Sequence, residues 1–441
     1  MAPPALTPDL IPPPVVEVCA RLREKGHRAW VVGGCVRDLL MGRPVSDWDI
    51  CTSAKPKQTQ RAFRKVIPTG IQHGTVTVLW KGEGYEVTTL RGEGEYTDGR
   101  RPDEVFFVDD IREDLARRDF TVNAIAYDPI ADRLEDPFEG MADLEAGKIR
   151  AVGVAAERFA EDGLRILRGA RFVATLGFEL EADTRAAFFG ALDTYAKVSA
   201  ERIREEWVKT MKARAPSAAF RIMRETGILE RTCPLLLATA DAPVGARSAW
   251  EVSLDALDAS RPPPEERLAA LLHAVGRPRA DEGTFARAGA DLLEGWLREL
   301  RFSNDERKLI THLIRLHRVD GAAGWSDAEV RRFLQRAGRE RVHAVLRLAR
   351  AVRQAEAGDV AEIDHLKARV EAALLEQVPL TVGELAVNGK DAMDALGGGG
   401  RAVGELLREL LDRVVDDPAL NEREPLLALL HELAAARKEA S

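Results

Sequence analysis

The sequence predicts an α+β protein in which a small α/β head precedes a long helical remainder. Up to about residue 147, short β-rich runs such as "AWVV" (Ala29–Val32) and "TVTVLW" (Thr75–Trp80) alternate with helical segments. Beyond residue 148 these runs disappear, and segments such as "DERKLITHLIRLHRV" have the periodicity of amphipathic helices. At 441 residues the chain has room for about three domains.

Composition predicts a soluble, cytoplasmic protein. Hydrophobic residues make up 45% and charged residues 31%, and no apolar run approaches the ~20 residues that span a bilayer. The start, "MAPPALTPDLIPPP", lacks the basic and apolar regions of a signal peptide. The four cysteines form no CxxC pair, so we expect reduced thiols and no disulfide or zinc site. A net charge of −8 argues against non-specific coating of nucleic acid but allows a local basic groove.

The segment "VVGGCVRD" predicts a place where phosphate approaches the backbone. A buried strand, the pair Gly33 and Gly34, and a helix ending near Gly42 follow one another. Backbone N–H groups at such a turn can bind phosphate, although glycine pairs are also common in turns that bind nothing. Arg37 in the first helical turn would oppose the helix dipole, and a nearby triphosphate would explain it.

Paired carboxylates follow in "VSDWDI". If Asp47 and Asp49 lie on one strand, their side chains share a face and repel each other unless a cation lies between them. Mg²⁺ prefers such oxygen ligands and leaves positions for phosphate; a solvated turn is the alternative. Glu86 of the next hairpin, in "YEVTTL", could face the pair as a base or a metal neighbour, or be an exposed strand residue. Together these residues indicate metal-dependent nucleotidyl transfer.

These segments, with "RRDFTVNAIAYD" (Arg117–Asp128) and "EDGLRILRGARF" (Glu161–Phe172), resemble the class II nucleotidyltransferases. That family comprises the bacterial tRNA CCA-adding enzymes and poly(A) polymerases. "GELAVNGKD" (Gly383–Asp391) is similar to the tail segment of CCA-adding enzymes. The resemblance implies a polymerase-β-like nucleotidyltransferase head (1–147), a helical neck (148–215), a body (216–360) and a tRNA-binding tail (361–441).

The resemblance also implies the chemistry: Mg²⁺ as cofactor, CTP and ATP as substrates, and a tRNA 3′ end as acceptor, with no protein partner. It assigns Mg²⁺ to Asp47 and Asp49. It assigns nucleotide contacts to Gly33, Gly34, Arg37, Arg118, Asp162, Arg165, Arg168 and Arg171. Arg118 has the alternative of a structural ion pair with Asp114 or Asp119.

On one continuous helix, residues 162, 165, 168 and 171 would share an arc. Asp162 and Arg165 could be a solvated i,i+3 pair, or they could recognise a base. Ionised aspartate only accepts hydrogen bonds and arginine only donates them. Cytosine and adenine present an amine donor beside a ring-nitrogen acceptor, whereas uracil and guanine present the reverse. The pair would therefore favour C and A.

Four functions remain open from the sequence: full CCA addition, A-only or CC-only addition, poly(A) synthesis, and catalytically silent tRNA binding. The apparently full-length segment 91–110 disfavours CC-only addition, and the absence of a basic terminal extension disfavours poly(A) synthesis. Both aspartates and Arg37 disfavour a silent protein. The segment 331–353 carries eight arginines and one acid, which predicts either a tRNA phosphate surface or ordinary solvated helix faces.

Overall fold

The structure, a computed structural model, describes residues 6–92, 106–260 and 263–439. The chain divides into two units, Met1–Pro234 and Leu235–Ser441. The predicted head and neck both fall in the first unit, and the predicted tail falls in the second; the four-part division itself stays a prediction. Most of the predicted full-length loop, residues 93–105, lies outside the described residues.

One seven-stranded sheet organises the first unit, in the order β3-β4-β5-β2-β1-β6-β7. Its strands are β1 Ala29–Val32, β2 Asp49–Thr52, β3 Val66–Gly70, β4 Thr75–Trp80, β5 Glu83–Thr89, β6 Ala126–Asp128 and β7 Arg133–Glu135. Strands β2 and β5 are parallel, and the other described pairs are antiparallel. The predicted β4–β5 hairpin is confirmed: Lys81 and Gly82 both have positive φ (50° and 91°), as a two-residue turn requires.

Helices surround this sheet and continue beyond it. They are α1 Pro13–Glu24, α2 Gly34–Leu40, α3 Pro56–Ala62, α4 Ile111–Ala116, α5 Gly140–Ala146, α6 Ala155–Glu161, α7 Leu164–Leu176, α8 Ala182–Gly190, α9 Leu192–Tyr195, α10 Ala200–Thr210, α11 Ser217–Glu225 and α12 Ile228–Thr232. Helix α13, Pro234–Leu237, spans the division between the units. Two short strands, β8 Lys148–Ile149 and β9 Glu179–Leu180, pair in parallel.

The second unit is helical apart from a small hairpin, β10 Pro243–Val244 with β11 Arg247–Ser248. Its helices are α14 Ala249–Ala259, α15 Pro264–Leu272, α16 Phe285–Glu299, α17 Asn304–Leu316, α18 Asp327–Ala337, α19 Val342–Ala355, α20 Ala361–Leu375, α21 Gly389–Leu396, α22 Arg401–Asp416 and α23 Arg423–Glu439. None of the described helices combines the length and apolarity needed to cross a bilayer. The predicted α+β architecture, a mixed-sheet head followed by mostly helical chain, is confirmed.

Helix α7 is the element that positions the site, and aromatic packing holds its apolar face. Phe172 on this helix packs edge-on against Phe120, which also contacts Phe159. A Cβ at Gly169 would approach Phe188 to 2.6 Å, so glycine lets the helix lie directly on the aromatic rings. The helix also packs against α10 and α11. Its orientation is therefore set by close contacts on more than one side.

Gly163, directly before α7, provides a stability test. A Cβ there would lie 2.3 Å from the backbone nitrogen of Tyr195, so we expect Gly163→Ala to lower the free energy of unfolding by about 2–3 kcal/mol through overpacking. Gly190→Ala is the control, because its Cβ would meet nothing within 4 Å. Urea denaturation of both variants measures the difference; equal midpoints would contradict the close contact.

Candidate active site

One cavity of about 810 Å³ in the first unit gathers ten of the eleven predicted site residues. Its walls include Gly34, Arg37, Asp47, Asp49, Glu86, Arg118, Asp162, Arg165, Arg168 and Arg171. The eleventh, Gly33, lies behind this surface against Arg118: a Cβ on Gly33 would be 2.6 Å from Arg118 Nη1. Gly33 also has φ +77°, so this position needs glycine for both conformation and space.

Three carboxylates meet at the sheet side of the cavity. The strand begins at Asp49, so Asp47 precedes it, and the prediction that both lie on one strand is wrong. The irregular segment before β2 nevertheless brings Asp47 to the same cavity. Glu86, which the sequence left open as a partner of the aspartates or an exposed strand residue, is exposed and is the direct partner of Asp49 in the parallel β2–β5 register.

The carboxylates at this end of the cavity repel one another. Asp49 lines the cavity and is exposed to solvent there, whereas the next three residues of β2 are buried. Burial raises the pKa of the Asp49 carboxyl, and the negative charges of Glu86 and Asp47 raise it further against the opposing effect of Arg118. A divalent cation would relieve this repulsion. The described residues form no group of three or more His, Cys, Asp or Glu side chains able to hold a metal.

Arg37 is the fourth residue of the seven-residue helix α2 and is buried. Its guanidinium donates to Oδ1 of Asn123 at 2.6 Å and to both carboxylate oxygens of Asp38 at 3.0 Å. The sequence analysis expected a triphosphate to balance the charge of Arg37. In the structure, Asp38 already balances part of that charge. The hydrogen bond to Asn123 connects the glycine turn to the "RRDF" segment.

The sequence left two alternatives for Arg118, a nucleotide contact and a structural ion pair. The structure forms the ion pair and also places Arg118 at the cavity. It lines the cavity and forms an ion pair with buried Asp114 at 3.3 Å, and Nη1 also donates to the carbonyl of Asn123. Burial alone would lower the pKa of Arg118, but Asp114 raises it overall, so the guanidinium stays charged. Asp49 contributes to the same effect, which relates Arg118 to the carboxylate end of the cavity.

The segment before α7 differs from the prediction. Asp162 has extended backbone (φ −145°, ψ 104°), and α7 begins two residues later at Leu164. Oδ1 of Asp162 accepts the N–H of Leu164 at 3.0 Å, so the side chain caps the helix instead of lying on its face. The carboxylate also accepts two hydrogen bonds from Arg202, at 2.6 and 3.2 Å.

Arg165 is correspondingly paired with another acid. Its Nη1 donates to Oε2 of Glu161 at 2.6 Å, and Nη2 donates to the carbonyl of Arg117 at 3.1 Å. The i,i+3 pair, one of the two alternatives for Asp162 and Arg165, is not formed, because each side chain has another ion-pair partner. Both side chains still line the cavity, so they remain within reach of a ligand bound there.

Arg168 and Arg171 connect α7 to two other segments. Arg168 pairs with Asp119 at 2.7 Å, and Arg171 pairs with Glu206 at 2.5 Å. Burial would raise the pKa of Asp119, but Arg168 and the Asn123 amide hold it at about 2. The guanidinium carbon of Arg171 also lies 4.2 Å from the centre of the Phe172 ring, a cation–π contact.

Several cavity residues were not assigned from the sequence. Asp119 lies inside the quoted "RRDF" motif, which could have drawn attention to it. Arg202 and Lys209 line the cavity, and Glu206 accepts a hydrogen bond from Arg171. All three residues lie on α10. A polar helix such as "AERIREEWVKT" carries no local signal that it faces a site over 30 residues away.

The predicted basic surface of 331–353 is largely offset by acids within the second unit. Its ion pairs are Arg332–Asp416, Arg339–Glu384, Arg347–Glu266, Arg350–Asp364 and Arg353–Asp320. Arg331 donates to the carbonyls of Val415 and Asp416 at the end of α22. Counting arginines along the chain therefore overstates the net positive charge, and tRNA binding there stays a prediction.

Three family models match the chain. Residues 29–150 match the poly(A) polymerase head domain, residues 177–239 match an RNA and SrmB-binding site of polymerase A, and residues 289–430 match tRNA nucleotidyltransferase domain 2. The first of these covers most of the sheet and the carboxylate end of the cavity.

Relatives extend the similarity to nearly the whole chain. The CCA-adding enzyme of Geobacillus thermodenitrificans is 36% identical over 427 residues, or 96% of this chain and 97% of that enzyme. That of Lactobacillus delbrueckii subsp. bulgaricus is 49% identical over 228 residues, so the match spans 56% of its length and 52% of this chain. The crystal structure of the Bacillus stearothermophilus CCA-adding enzyme in complex with CTP, 33% identical, covers 98% of this chain and 100% of its own with a TM-score of 0.76. The chain belongs to the family of CCA-adding enzymes, which are tRNA nucleotidyltransferases.

Proposed function

We propose that the protein adds C, C and A in turn to the 3′ end of tRNA, using CTP and ATP and releasing pyrophosphate. One observation carries this proposal: a single cavity combines carboxylates on β2 and β5 with the arginines of α7. The first group suits a cation and a reacting phosphate, and the second suits a nucleotide. The related Bacillus stearothermophilus enzyme binds CTP, which supports the substrate assignment. We assign the reaction to the cytoplasm, and the four free cysteines are consistent with that.

Asp47 and Asp49 are assigned to Mg²⁺, which when bound supplies charge stabilisation at the reacting phosphate and the departing pyrophosphate. Burial and, to a smaller extent, the charges of Glu86 and Asp47 raise the pKa of Asp49, and this supports the assignment because a cation would favour the ionised carboxylate. Glu86 is assigned to accept the proton of the attacking tRNA 3′-hydroxyl, and its position opposite Asp49 in the strand register supports that role. Gly34 and Arg37 are assigned to the triphosphate.

Arginines are assigned to hold the nucleotide in place. Arg118, Arg168 and Arg171 each contact a carboxylate that restrains the guanidinium, so little rearrangement is needed when a triphosphate binds. Such preorganised charge stabilises a transition state more effectively than mobile side chains or water. In-line attack of the hydroxyl on the α-phosphate then depends mainly on positioning.

Asp162 and Arg165 are assigned to base selection. In the structure Arg202 presents N–H donors to both oxygens of Asp162. A cytosine or adenine amine offers the same kind of donor, so an incoming base would exchange one hydrogen bond for another. Uracil and guanine would bring an acceptor to this carboxylate instead, and each unpaired polar group costs roughly 1–3 kcal/mol.

Incubation with tRNA lacking its 3′ CCA, plus CTP, ATP and Mg²⁺, tests the proposed function. We expect a product three nucleotides longer, ending in CCA. Asp47→Asn and Asp49→Asn should each reduce incorporation about 10³-fold or more, because several kcal/mol of charge stabilisation are lost. Asp183→Asn, an exposed acid on α8, is the control. A long adenine tail, addition of A alone, or no addition by the unaltered protein would contradict full CCA addition.

The role of Glu86 is tested by Glu86→Gln, with Glu83→Gln on the same strand as control. If Glu86 accepts the proton, kcat should fall about 10²- to 10⁴-fold and the acidic limb of the pH–rate profile should change. The control should behave like the unaltered protein, because Glu83 lies outside the described cavity lining. A pH profile unaffected by Glu86→Gln would exclude the base role.

Base selection is tested by Asp162→Ala. We expect the preference for CTP over UTP, measured as a ratio of kcat/KM values, to fall by roughly 10- to 100-fold, since a mismatch would no longer bury an unpaired carboxylate. The Mg²⁺ concentration for half-maximal activity should stay unchanged. Asp183→Ala on α8 is the matched control. An unaltered CTP/UTP ratio would refute the role.

A further inference from the structure

Two arginine side chains and the backbone N–H of a third arginine contact one buried carboxylate near the carboxylate end of the cavity. Asp114, whose side chain is 0% exposed, accepts hydrogen bonds from Nε and Nη2 of Arg117 at 3.0 and 2.7 Å. It also pairs with Arg118 at 3.3 Å and accepts the backbone N–H of Arg91 at 3.2 Å. All three arginines line the cavity, and we call these four residues the arginine cluster.

The arginine cluster has an excess of positive charge. Asp114 forms ion pairs with the guanidinium groups of Arg117 and Arg118. Among the described residues, no acid forms an ion pair with Arg91 and no acid other than Asp114 pairs with Arg117. The adjacent Cys51 thiol does not compensate, since burial raises its pKa to about 12 and keeps it neutral. The cluster therefore has a net charge of about +2 at neutral pH.

Unpaired donors add a second, independent observation. Among the described residues, Nε of Arg91 and Nε of Arg118 are buried without a hydrogen-bond acceptor. Burial, and then the charge of Arg117, lower the pKa of Arg91 to about 10, so it is still charged at pH 7. A buried charged donor without an acceptor is costly, and most such groups in proteins have a partner. The side chains of Arg91 and Arg118 line the cavity, where a ligand can accept hydrogen bonds from them.

We infer that Arg91 and Arg117 bind a substrate phosphate, Arg91 through its guanidinium group and Arg117 through the donors that Asp114 leaves free. Asp114 keeps the arginines in position without neutralising them. Guanidinium groups match phosphate oxygens in charge and in the spacing of their donors. The inference rests on the proposed function, because either the nucleotide triphosphate or the 3′-terminal phosphodiester of the acceptor tRNA could supply this phosphate.

The test compares Arg91→Ala and Arg117→Ala with Arg112→Ala, which removes an exposed arginine outside the cavity lining on α4, the helix that carries Asp114. Calorimetry with Mg²⁺-tripolyphosphate measures phosphate binding without a base, and steady-state assays give KM for CTP and for tRNA lacking CCA. Loss of one charge-assisted hydrogen bond should weaken the relevant affinity by about tenfold or more, while Arg112→Ala leaves it unchanged.

The two phosphate sources give different results. If the triphosphate occupies the cluster, tripolyphosphate affinity falls and KM for CTP rises in both cluster variants. If the acceptor occupies it, tripolyphosphate binding is retained and KM for tRNA rises. The slope of log K against log salt for tRNA binding would then fall by about 0.7 per lost contact.

Wild-type tripolyphosphate affinity together with KM values within about twofold in both folded variants would overturn the inference. If Arg91→Ala does not fold, judged by circular dichroism, Arg91→Lys and Arg117→Ala carry the test. Arg91→Lys keeps the charge but loses the Nε donor. An unaltered protein that binds tripolyphosphate in an Arg91-dependent manner, yet adds no nucleotide, would refute the proposed function and leave the phosphate site standing.

Discussion

Two buried ion pairs of α7 hold the candidate site together. Arg168 binds Asp119, next to the strands of the head, and Arg171 binds Glu206 on α10. The two acids are buried, at 7% and 2% exposed. Glu206 also pairs with Arg168 at 3.8 Å and with Lys209 at 3.4 Å, whereas Arg168 is the ion-pair partner of Asp119. Removing Arg168 would therefore break the buried pair with Asp119, and breaking such a pair typically costs about 3–5 kcal/mol. Helix α7 is thereby held at a defined distance from the carboxylates of β2 and β5.

The cavity is electrostatically unfavourable without its ligands. Acids repel one another around Asp49, and guanidinium groups crowd around Asp114 at the neighbouring wall. A protein selected only for stability would pair or remove these charges. A cation near the acids and phosphates near the arginines would satisfy both groups at once, since their charges are opposite. The uncompensated charges of the cavity therefore match the charges of a cation and of phosphate groups, which a nucleotidyltransferase binds.

Local sequence predicted the head well. The order of strand, Gly33–Gly34 turn and short helix is formed, and so is the β4–β5 hairpin. These features depend on contacts close in sequence or on alternation along a strand, which short patterns encode. Ten of the eleven site residues predicted from the sequence line the cavity.

Prediction failed where the chain breaks a regular element. The arc through Asp162 and Arg165 assumed one continuous helix, whereas α7 begins only after Gly163, which packs against the backbone of Tyr195. The basic surface of the second unit was overestimated for a related reason. Acids such as Glu266 and Asp416 lie about 80 residues from their arginines and are invisible to a local count.

The sequence by itself determined the fold class, the position of the carboxylate pair and the motifs that identify the family. Only the tertiary structure decided which charges are paired: Arg168 with Asp119, Arg171 with Glu206, and Asp162 with Arg202, separated by 49, 35 and 40 residues. Periodicity reports which face of an element is buried, because burial follows the geometry of one helix or strand. It carries no information about which distant side chain meets that face, since that depends on how the elements pack.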